Sequence, residues 1–218
     1  MAKPATEFRA PEGGGYYTNE RPELVAELSP PLGRVLDVGC GAGGVGRSLR
    51  AAGASHLTGV EVNADAAAQA RSVYDELLLG DVQELIASGA LRGPFDLFAL
   101  YDVLEHLVDP AAVLDSLRPL AAPGARLHVS VPNARHVSLL RDLILRGTFG
   151  YTAWGHRDAS HLRWFTRRDI EELVARHGWR VDRSVPALLG RAVAVDRLTR
   201  GSAREFIALQ WHVHATAA

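Results

Sequence analysis

From residue 34 onward, short apolar runs alternate with stretches in which apolar residues recur every three or four positions. The short runs are rich in Val, Leu, Phe and Tyr and predict five β-strands, at residues 35–38, 57–62, 76–79, 95–101 and 126–131. A turn and then a helical pattern follow each of them. Strands that alternate with helices in this way form a parallel sheet covered by helices on both faces.

Capping signals set the ends of several predicted helices. Asp109 and Pro110 begin one helix, and Gly147 ends another. Thr166 and Asp169 fit the capping box that begins a third. The pattern predicts helices at residues 22–28, 45–52, 65–73, 82–88, 110–120, 138–146 and 167–177.

A glycine-rich turn follows the first predicted strand. Gly39, Gly41 and Gly44 satisfy the G-x-G-x-x-G pattern of dinucleotide-binding proteins. Glu61 lies near the position of the ribose-binding acid in such proteins. Residues 37–43 also satisfy a second pattern, acid-x-G-x-G-x-G. The turn alone therefore leaves the bound cofactor open.

Acidic residues close four successive predicted strands, namely Asp37, Glu61, Asp81 and Asp102. Because ligands of an open parallel sheet bind at the carboxyl ends of its strands, we expect these acids to face one cleft. Glu61 can accept hydrogen bonds from both hydroxyls of a ribose, and Asp81 can accept one from an adenine amine. Asp37 adds negative potential for a ligand ammonium group. A dinucleotide enzyme has no general need for the third acid.

Four motifs of this sequence resemble, in order and spacing, the successive motifs of class I S-adenosylmethionine-dependent methyltransferases: residues 37–43, Glu61, Gly80-Asp81 and residues 102–106. The resemblance covers residues 16–185. It implies an α/β, Rossmann-like, doubly wound fold with a mostly parallel seven-stranded sheet and helices on both faces. The last strand would be antiparallel, and residues 204–214 would supply it.

The same resemblance implies S-adenosylmethionine as the cofactor and S-adenosylhomocysteine as the product. The residues expected to bind the cofactor are Asp37, Gly39, Cys40, Gly41, Gly43, Glu61, Val62, Asp81, Val82, Tyr101, Tyr17 and Arg21. The main alternative is an NAD(P)-dependent oxidoreductase, which the glycine turn permits. Asp81 argues against it, and so does the presence of a single lysine, Lys3, because one large class of these enzymes needs a Tyr-x-x-x-Lys pair. A third alternative is a catalytically silent subunit that binds the cofactor.

Residues 134–165 interrupt the regular alternation, and we expect them to form an insertion over the cleft that makes the acceptor pocket. Residues 158–166 resemble the Asp-x-x-His-x-x-x-Phe-Thr stretch of methyltransferases related to ubiquinone, small-metabolite and glycan methylation. We expect His161 to act as the base toward a hydroxyl acceptor, with His106 and Asp158 as further catalytic candidates. The alternative for His161 is a structural role that anchors the insertion.

Asp102, Glu105 and His106 are similar to the acid-x-x-Glu-His stretch of ubiquinone-pathway O-methyltransferases, some of which are associated with a divalent cation. Carboxylates at the start of a helix offer oxygen ligands to such an ion. Many proteins of this fold carry Glu-His here without a metal. We therefore expect no metal. The alternative is a divalent cation bound by these three residues.

Composition bears on partners and location. The 218 residues have a formal net charge of −1, a single cysteine and no long apolar run. These values argue against attraction to nucleic acid, an internal disulfide and a membrane span. We expect a flexible tail at residues 1–15 and one cytoplasmic methyltransferase domain at residues 16–218, with a homodimer left open. The arginine bias is typical of a GC-rich bacterium, and the expected acceptor is a small biosynthetic molecule such as a natural product, sugar or quinone precursor.

Overall fold

The computed structural model describes residues 20–152 and 155–218, which contain one seven-stranded sheet in the order β3-β2-β1-β4-β5-β7-β6. The strands are β1 (Gly33–Val38), β2 (Ala54–Glu61), β3 (Glu76–Leu79), β4 (Phe95–Tyr101), β5 (Ala121–Pro132), β6 (Trp179–Pro186) and β7 (Gln210–Ala217). Strands β1 to β5 are parallel, and β7 is antiparallel to its neighbours β5 and β6. Strands β2 and β3 lie on one side of β1, and β4 and β5 lie on the other, so the strand order reverses between β1 and β4. This reversal opens a crevice at the carboxyl ends of these two strands.

Helices cover both faces of this sheet. They are α1 (Pro22–Val25), α2 (Gly44–Ala51), α3 (Ala64–Ala70), α4 (Val82–Ala87), α5 (Pro110–Leu117), α6 (Val137–Arg146), α7 (Arg167–Arg176), α8 (Arg191–Leu198) and α9 (Arg204–Ile207). Helices α1 to α3 pack on one face, and α4, α5 and α7 pack on the other. Adjacent strand residues such as Leu97 and Phe98 enter opposite cores because side chains alternate along a strand.

The predicted fold class is confirmed, and several element ends agree with it. The third and fourth strands have their predicted bounds. Asp109 caps α5 by accepting a hydrogen bond from the N–H of Ala112 at 3.0 Å. Thr166 and Asp169 form the predicted capping box at the start of α7. Gly147 ends α6 with a left-handed φ of 65°. These ends depend on local hydrogen bonds, which a sequence pattern encodes directly.

The predicted strand at residues 204–214 is wrong in its first part. Residues 204–207 form α9, and β7 begins only at Gln210. Arg204 makes two hydrogen bonds of 2.9 Å to the carboxylate of Asp196 in α8, which holds this helical turn. The first helix is also shorter than predicted, because α1 ends at Val25.

The segment of residues 134–165 leaves and rejoins the sheet at one place. Asn133 forms a parallel bridge with Phe165, and the N–H of Ala134 donates to the carbonyl of Phe165 at 2.9 Å. Within the segment, the buried carboxylate of Asp142 in α6 accepts a hydrogen bond from Arg157 at 2.7 Å. These contacts give the segment its own fixed geometry beside the carboxyl ends of β4 and β5.

The expected tail at residues 1–15 and the cofactor candidate Tyr17 lie outside the described residues. Within residues 20–152 and 155–218, no helix combines the length and the apolar character needed to cross a bilayer.

Candidate active site

The glycine turn between β1 and α2 lacks side chains at three positions. Gly39, Gly41 and Gly43 have φ angles of 71°, 54° and 84°, in the left-handed region that glycine adopts without strain. A Cβ atom at Gly39 would lie only 2.7 Å from Cγ2 of Val103. The turn therefore requires glycine there, and a ligand at the end of β1 can approach its backbone closely.

Glu61 ends β2 beside this turn, and two main-chain amides fix its buried carboxylate. Oε2 accepts a hydrogen bond from the N–H of Gly41 at 2.8 Å, and Oε1 accepts one from the N–H of Asn63 at 2.8 Å. A carboxylate has about four acceptor lone pairs, so each oxygen retains one for a ligand hydroxyl. This position suits an acid that accepts from two neighbouring hydroxyls.

Two predicted cofactor residues, Asp37 and Cys40, are buried around the turn. Asp37 accepts a hydrogen bond from the hydroxyl of Tyr74 at 2.6 Å. Burial raises the pKa of Asp37 to about 7, the hydrogen bond from Tyr74 opposes this rise, and the charge of Glu61 adds to it. Burial also raises the pKa of the Cys40 thiol, so Cys40 is a packing residue rather than a reactive thiolate. Tyr74 belongs to no motif, and the sequence analysis missed it.

Asp81 and Val82 begin α4 at the edge of the same crevice. Oδ1 of Asp81 caps the helix by accepting from the N–H groups of its second and third residues, at 2.8 and 3.2 Å. The N–H of Gly80 donates to the carbonyl of Glu61 at 2.9 Å, which brings the ends of β2 and β3 together. Val82 is buried, whereas Val62 is 64% exposed just after β2. The acids of the second and third strands thus lie at neighbouring strand ends, as predicted.

Arg21 and Asp102 form an ion pair over the carboxyl end of β4. Arg21 also donates to Oε1 of Gln210 at 2.6 Å, and Nε2 of Gln210 donates to Oδ1 of Asp102 at 2.6 Å. Asp102 has a left-handed φ of 56°, and this triangle of contacts holds it there. Its carboxylate is therefore turned to the first helix and β7. The sequence analysis missed Gln210, because nothing local marks it.

Tyr101 ends β4 but its hydroxyl is engaged inside the fold. It lies 2.8 Å from Nδ1 of His128, and the side chain is only 8% exposed. The ring packs in the same core as Leu24 and Val25 of α1. The predicted contact between Tyr101 and the cofactor stays a prediction, and the hydroxyl already has a partner.

The three predicted catalytic residues come together through Ser160. The hydroxyl of Ser160 donates to Oδ1 of Asp158 at 2.6 Å and lies 3.2 Å from Nδ1 of His106. The rings of His106 and His161 meet edge to face, with centroids 4.8 Å apart. Asp158 and His161 are buried. The geometry thus links Asp158 to His161 through Ser160 and His106, and the sequence analysis missed Ser160.

Burial controls the charge of the two histidines. Burial and, after it, the neighbouring His106 lower the pKa of His161 to about 4, although the charge of Asp158 opposes this shift. Burial also lowers the pKa of His106. Both rings are therefore neutral near pH 7 and each has a nitrogen lone pair, which a proton acceptor needs.

Glu105 lies beside these two rings. It is 1% exposed, and neither carboxylate oxygen has a hydrogen-bond partner among residues 20–152 and 155–218. Burial raises its pKa well above the usual range, and the charge of Asp102 adds to the rise. Ligand atoms of Glu105, His106 and His161 lie within 4.8 Å of one another, a set that excludes Asp102. The expected absence of a metal stays a prediction.

The inserted segment also carries aromatic side chains that are near His161 in the sequence. The Phe149 ring lies 5.1 Å from that of Tyr151 and 5.3 Å from that of Trp164, centroid to centroid. Tyr151 is 60% exposed and Trp164 is 41% exposed. The rings of His136 and His156 stack at 4.9 Å. The segment therefore presents flat apolar surfaces to solvent.

Comparisons with known proteins agree on the family. A family described as a methyltransferase domain matches residues 14–184. The ubiquinone biosynthesis O-methyltransferase of Xylella fastidiosa strain 9a5c is 36% identical over 120 residues, which are 52% of this chain and 48% of that protein. The protein of the same name from Psychrobacter cryohalolentis is 32% identical over 130 residues, 57% of this chain and 50% of the relative. The chain spans about half the length of the curated relatives it matches.

Solved structures share the fold. A methyltransferase of Mesorhizobium loti that depends on S-adenosylmethionine aligns with a TM-score of 0.62 at 18% identity, over 90% of this chain and 97% of its own. One from Archaeoglobus fulgidus aligns with a TM-score of 0.63 at 16% identity, over 85% and 86%. The family and cofactor predicted from the four motifs are confirmed, and the nicotinamide alternative is not supported. The chain belongs to the class I S-adenosylmethionine-dependent methyltransferases.

Proposed function

We propose that this protein transfers a methyl group from S-adenosylmethionine to a hydroxyl oxygen of a small aromatic molecule. The observation that carries the proposal is the ring contact between the buried His161 and the half-buried His106, which follows the carboxyl end of β4. The curated relatives named as O-methyltransferases support the choice of oxygen.

The residues at the crevice fit the cofactor. Gly39 and Gly41 give the turn its left-handed backbone, which would lie against the amino-acid arm and the ribose. Glu61 would accept from the two ribose hydroxyls. Asp81 would accept from the adenine amine, with the N–H of Val82 donating to the ring. S-adenosylmethionine supplies a methyl group on a positively charged sulfur, a carbon already activated toward attack.

The chain then has to position and deprotonate the acceptor hydroxyl. We assign the proton-accepting role to His161, because its neutral ring retains a lone pair at neutral pH. Asp158 and Ser160 position His106, and the His106 ring in turn supports the ring of His161. Glu105 is buried beside both rings.

The aromatic side chains of the inserted segment support an aromatic acceptor. Tyr151 and Trp164 are exposed aromatic rings joined by Phe149, and a flat ring stacks on such surfaces. A phenolic hydroxyl also loses its proton more readily than a sugar hydroxyl, which suits a single histidine base. We therefore infer that residues 134–165 form the acceptor pocket of one domain that spans residues 16–218. We also propose that this enzyme acts in the cytoplasm and that its substrate is a small molecule rather than nucleic acid.

Two measurements test the proposal. Calorimetric titration with S-adenosylhomocysteine and then with NADH should show binding of the first compound alone. Labelled S-adenosylmethionine and a panel of catechols, simple phenols, sugars and amines should then give a methyl ether with a phenolic acceptor. Cofactor binding without transfer to any phenol would overturn the acceptor class, and binding of NADH instead would overturn the activity.

A further inference from the structure

A second cluster of titratable groups lies beneath α1, apart from the cluster of His106 and His161. Oε1 of Glu27 lies 2.8 Å from Nδ1 of His212, and Oε2 lies 2.9 Å from Nε2 of His214. Nε2 of His128 lies 3.6 Å from the same Oε2, beyond hydrogen-bond length. The rings of His128 and His214 stack with centroids 4.0 Å apart. One carboxylate thus gathers three imidazoles.

Strand register brings these histidines together. His128 on β5 and His214 on β7 are directly paired in the antiparallel ladder, and His212 lies two residues away on the same face. Glu27 belongs to the turn after α1 and closes the group from above. The cluster therefore depends on three separate parts of the chain, and no sequence motif predicts it.

The cluster contains unsatisfied nitrogen atoms. Nε2 of His128 and Nε2 of His212 are buried and have no hydrogen-bond partner within the part of the chain that the structure describes. His128 is 1% exposed and His212 is 2% exposed, so solvent does not satisfy them. A buried polar atom without a partner destabilises the folded protein. A ligand bound to Nε2 of His128 would remove the destabilisation at that atom.

We propose that Glu27, His128 and His214 bind a divalent transition metal ion of the zinc type. One ligand atom from each residue lies within 4.8 Å of the other two. The separations from Oε2 of Glu27, 2.9 and 3.6 Å, bracket the spacing of about 3.3 Å for two ligands of a tetrahedral zinc ion. Two imidazoles and one carboxylate favour zinc over magnesium or calcium, which prefer oxygen ligands.

The surroundings complete such a site. The hydroxyl oxygen of Tyr101, 2.8 Å from Nδ1 of His128, can accept a hydrogen bond from Nδ1–H, in the tautomer that leaves Nε2 free to coordinate. A cavity of about 260 Å³, lined in part by Glu27, His128 and His214, lies beside the cluster. The cations nearest this cavity are engaged elsewhere: Arg126 donates to the carbonyls of Ser29 and Pro31, and Arg183 donates to the carbonyl of Glu27.

A bound ion would connect the turn after α1 to two strands of the sheet. Arg21, which immediately precedes α1, reaches Asp102 at the carboxyl end of β4. The ion would thus fix the segment that carries Arg21 to the sheet beside the crevice. Its role would be structural, and it stands independently of the proposed methyl transfer.

The test is Co²⁺ titration of tag-free, metal-stripped protein, followed by visible absorption and by competition with Zn²⁺. We expect a tetrahedral Co²⁺ spectrum that Zn²⁺ abolishes and that Mg²⁺ does not affect. His214→Gln should lose one equivalent of bound Co²⁺. His161→Gln is the matched control and should retain this equivalent, because His161 belongs to the other histidine cluster. Far-UV circular dichroism verifies the fold of each variant.

Two conservative variants keep the test decisive if His214→Gln fails to fold. Glu27→Gln removes a ligand charge in a partly exposed turn, and Tyr101→Phe removes only the outer partner of His128. Outer partners are worth about 10- to 100-fold in metal affinity, so we expect Tyr101→Phe to bind Co²⁺ about that much more weakly and Glu27→Gln to bind more weakly still. Absence of Co²⁺ binding, or binding unchanged in these variants and in His214→Gln, would overturn the proposal.

Discussion

The main-chain N–H of Gly41 donates to Oε2 of Glu61 over 2.8 Å, so the acid that ends β2 is held against the glycine turn that follows β1. This hydrogen bond joins two predicted cofactor residues that are 20 positions apart in the chain. It orients the carboxylate before any ligand arrives, which reduces the ordering cost of binding.

Glu61→Gln should weaken S-adenosylhomocysteine binding by about 10- to 100-fold. The amide replaces one acceptor oxygen by a donor, and hydrogen bonds to charged groups contribute about 1.5–3 kcal/mol. Calorimetry measures the affinity, and Glu76→Gln on β3 is the control because Glu76 is exposed and outside the predicted cofactor set. Equal affinities in wild type and Glu61→Gln would remove Glu61 from the cofactor site.

His161→Ala should reduce kcat by about 10²- to 10⁴-fold while cofactor affinity changes little, since a general base contributes about that factor. Single-turnover methyl transfer with a phenolic acceptor measures the effect. His177→Ala is the matched control, because His177 is a half-buried histidine at the end of α7 whose Nδ1 lies 2.7 Å from the carboxylate of Asp115 in α5. Loss of the fold or of cofactor binding in His161→Ala would instead indicate that His161 anchors the insertion.

Added Mg²⁺ should not accelerate methyl transfer by metal-stripped enzyme. Asp102, one of three ligands considered from the sequence, is engaged by Arg21 and Gln210, which leaves Glu105 with two imidazoles. That set is poor in the oxygen ligands that Mg²⁺ prefers. Initial rates with and without Mg²⁺ decide this, and a saturable rise in rate that Glu105→Gln abolishes would contradict the expectation.

Local chemistry explains which parts of the fold were predictable. The glycine turn, the Asp109 cap and the capping box at Thr166 depend on residues a few positions apart, and a pattern captures them. The edge strand β6 depends on pairing with β7 instead. Trp179 is buried and the rest of the strand is exposed or half-buried, and a shift in register between Val181 and Arg183 interrupts the alternation that begins at Trp179.

The same argument applies to the site. Acids at strand ends follow from the order of strands, and the sequence alone placed Glu61 and Asp81 together. The partners that hold the site come from distant positions, as Tyr74 does for Asp37 and Gln210 does for Asp102. Sequence spacing carries no information about such pairs, because the fold alone decides which side chains meet.

Asp37 should make the stability of the protein fall as the pH rises through neutrality. Its folded pKa of about 7 lies above the unfolded value of about 3.9, so the folded state binds the extra proton between those values. The contribution of Asp37 to the free energy of unfolding is therefore greatest below the unfolded pKa, and it declines until the pH exceeds the folded pKa. The two values predict a loss of about 2–3 kcal/mol from pH 5 to pH 7.5. Asp37→Asn retains an acceptor for the Tyr74 hydroxyl and cannot ionise, so urea unfolding of this variant should lack that loss. If wild type and Asp37→Asn change in parallel between these pH values, the buried carboxyl is ionised in the folded protein.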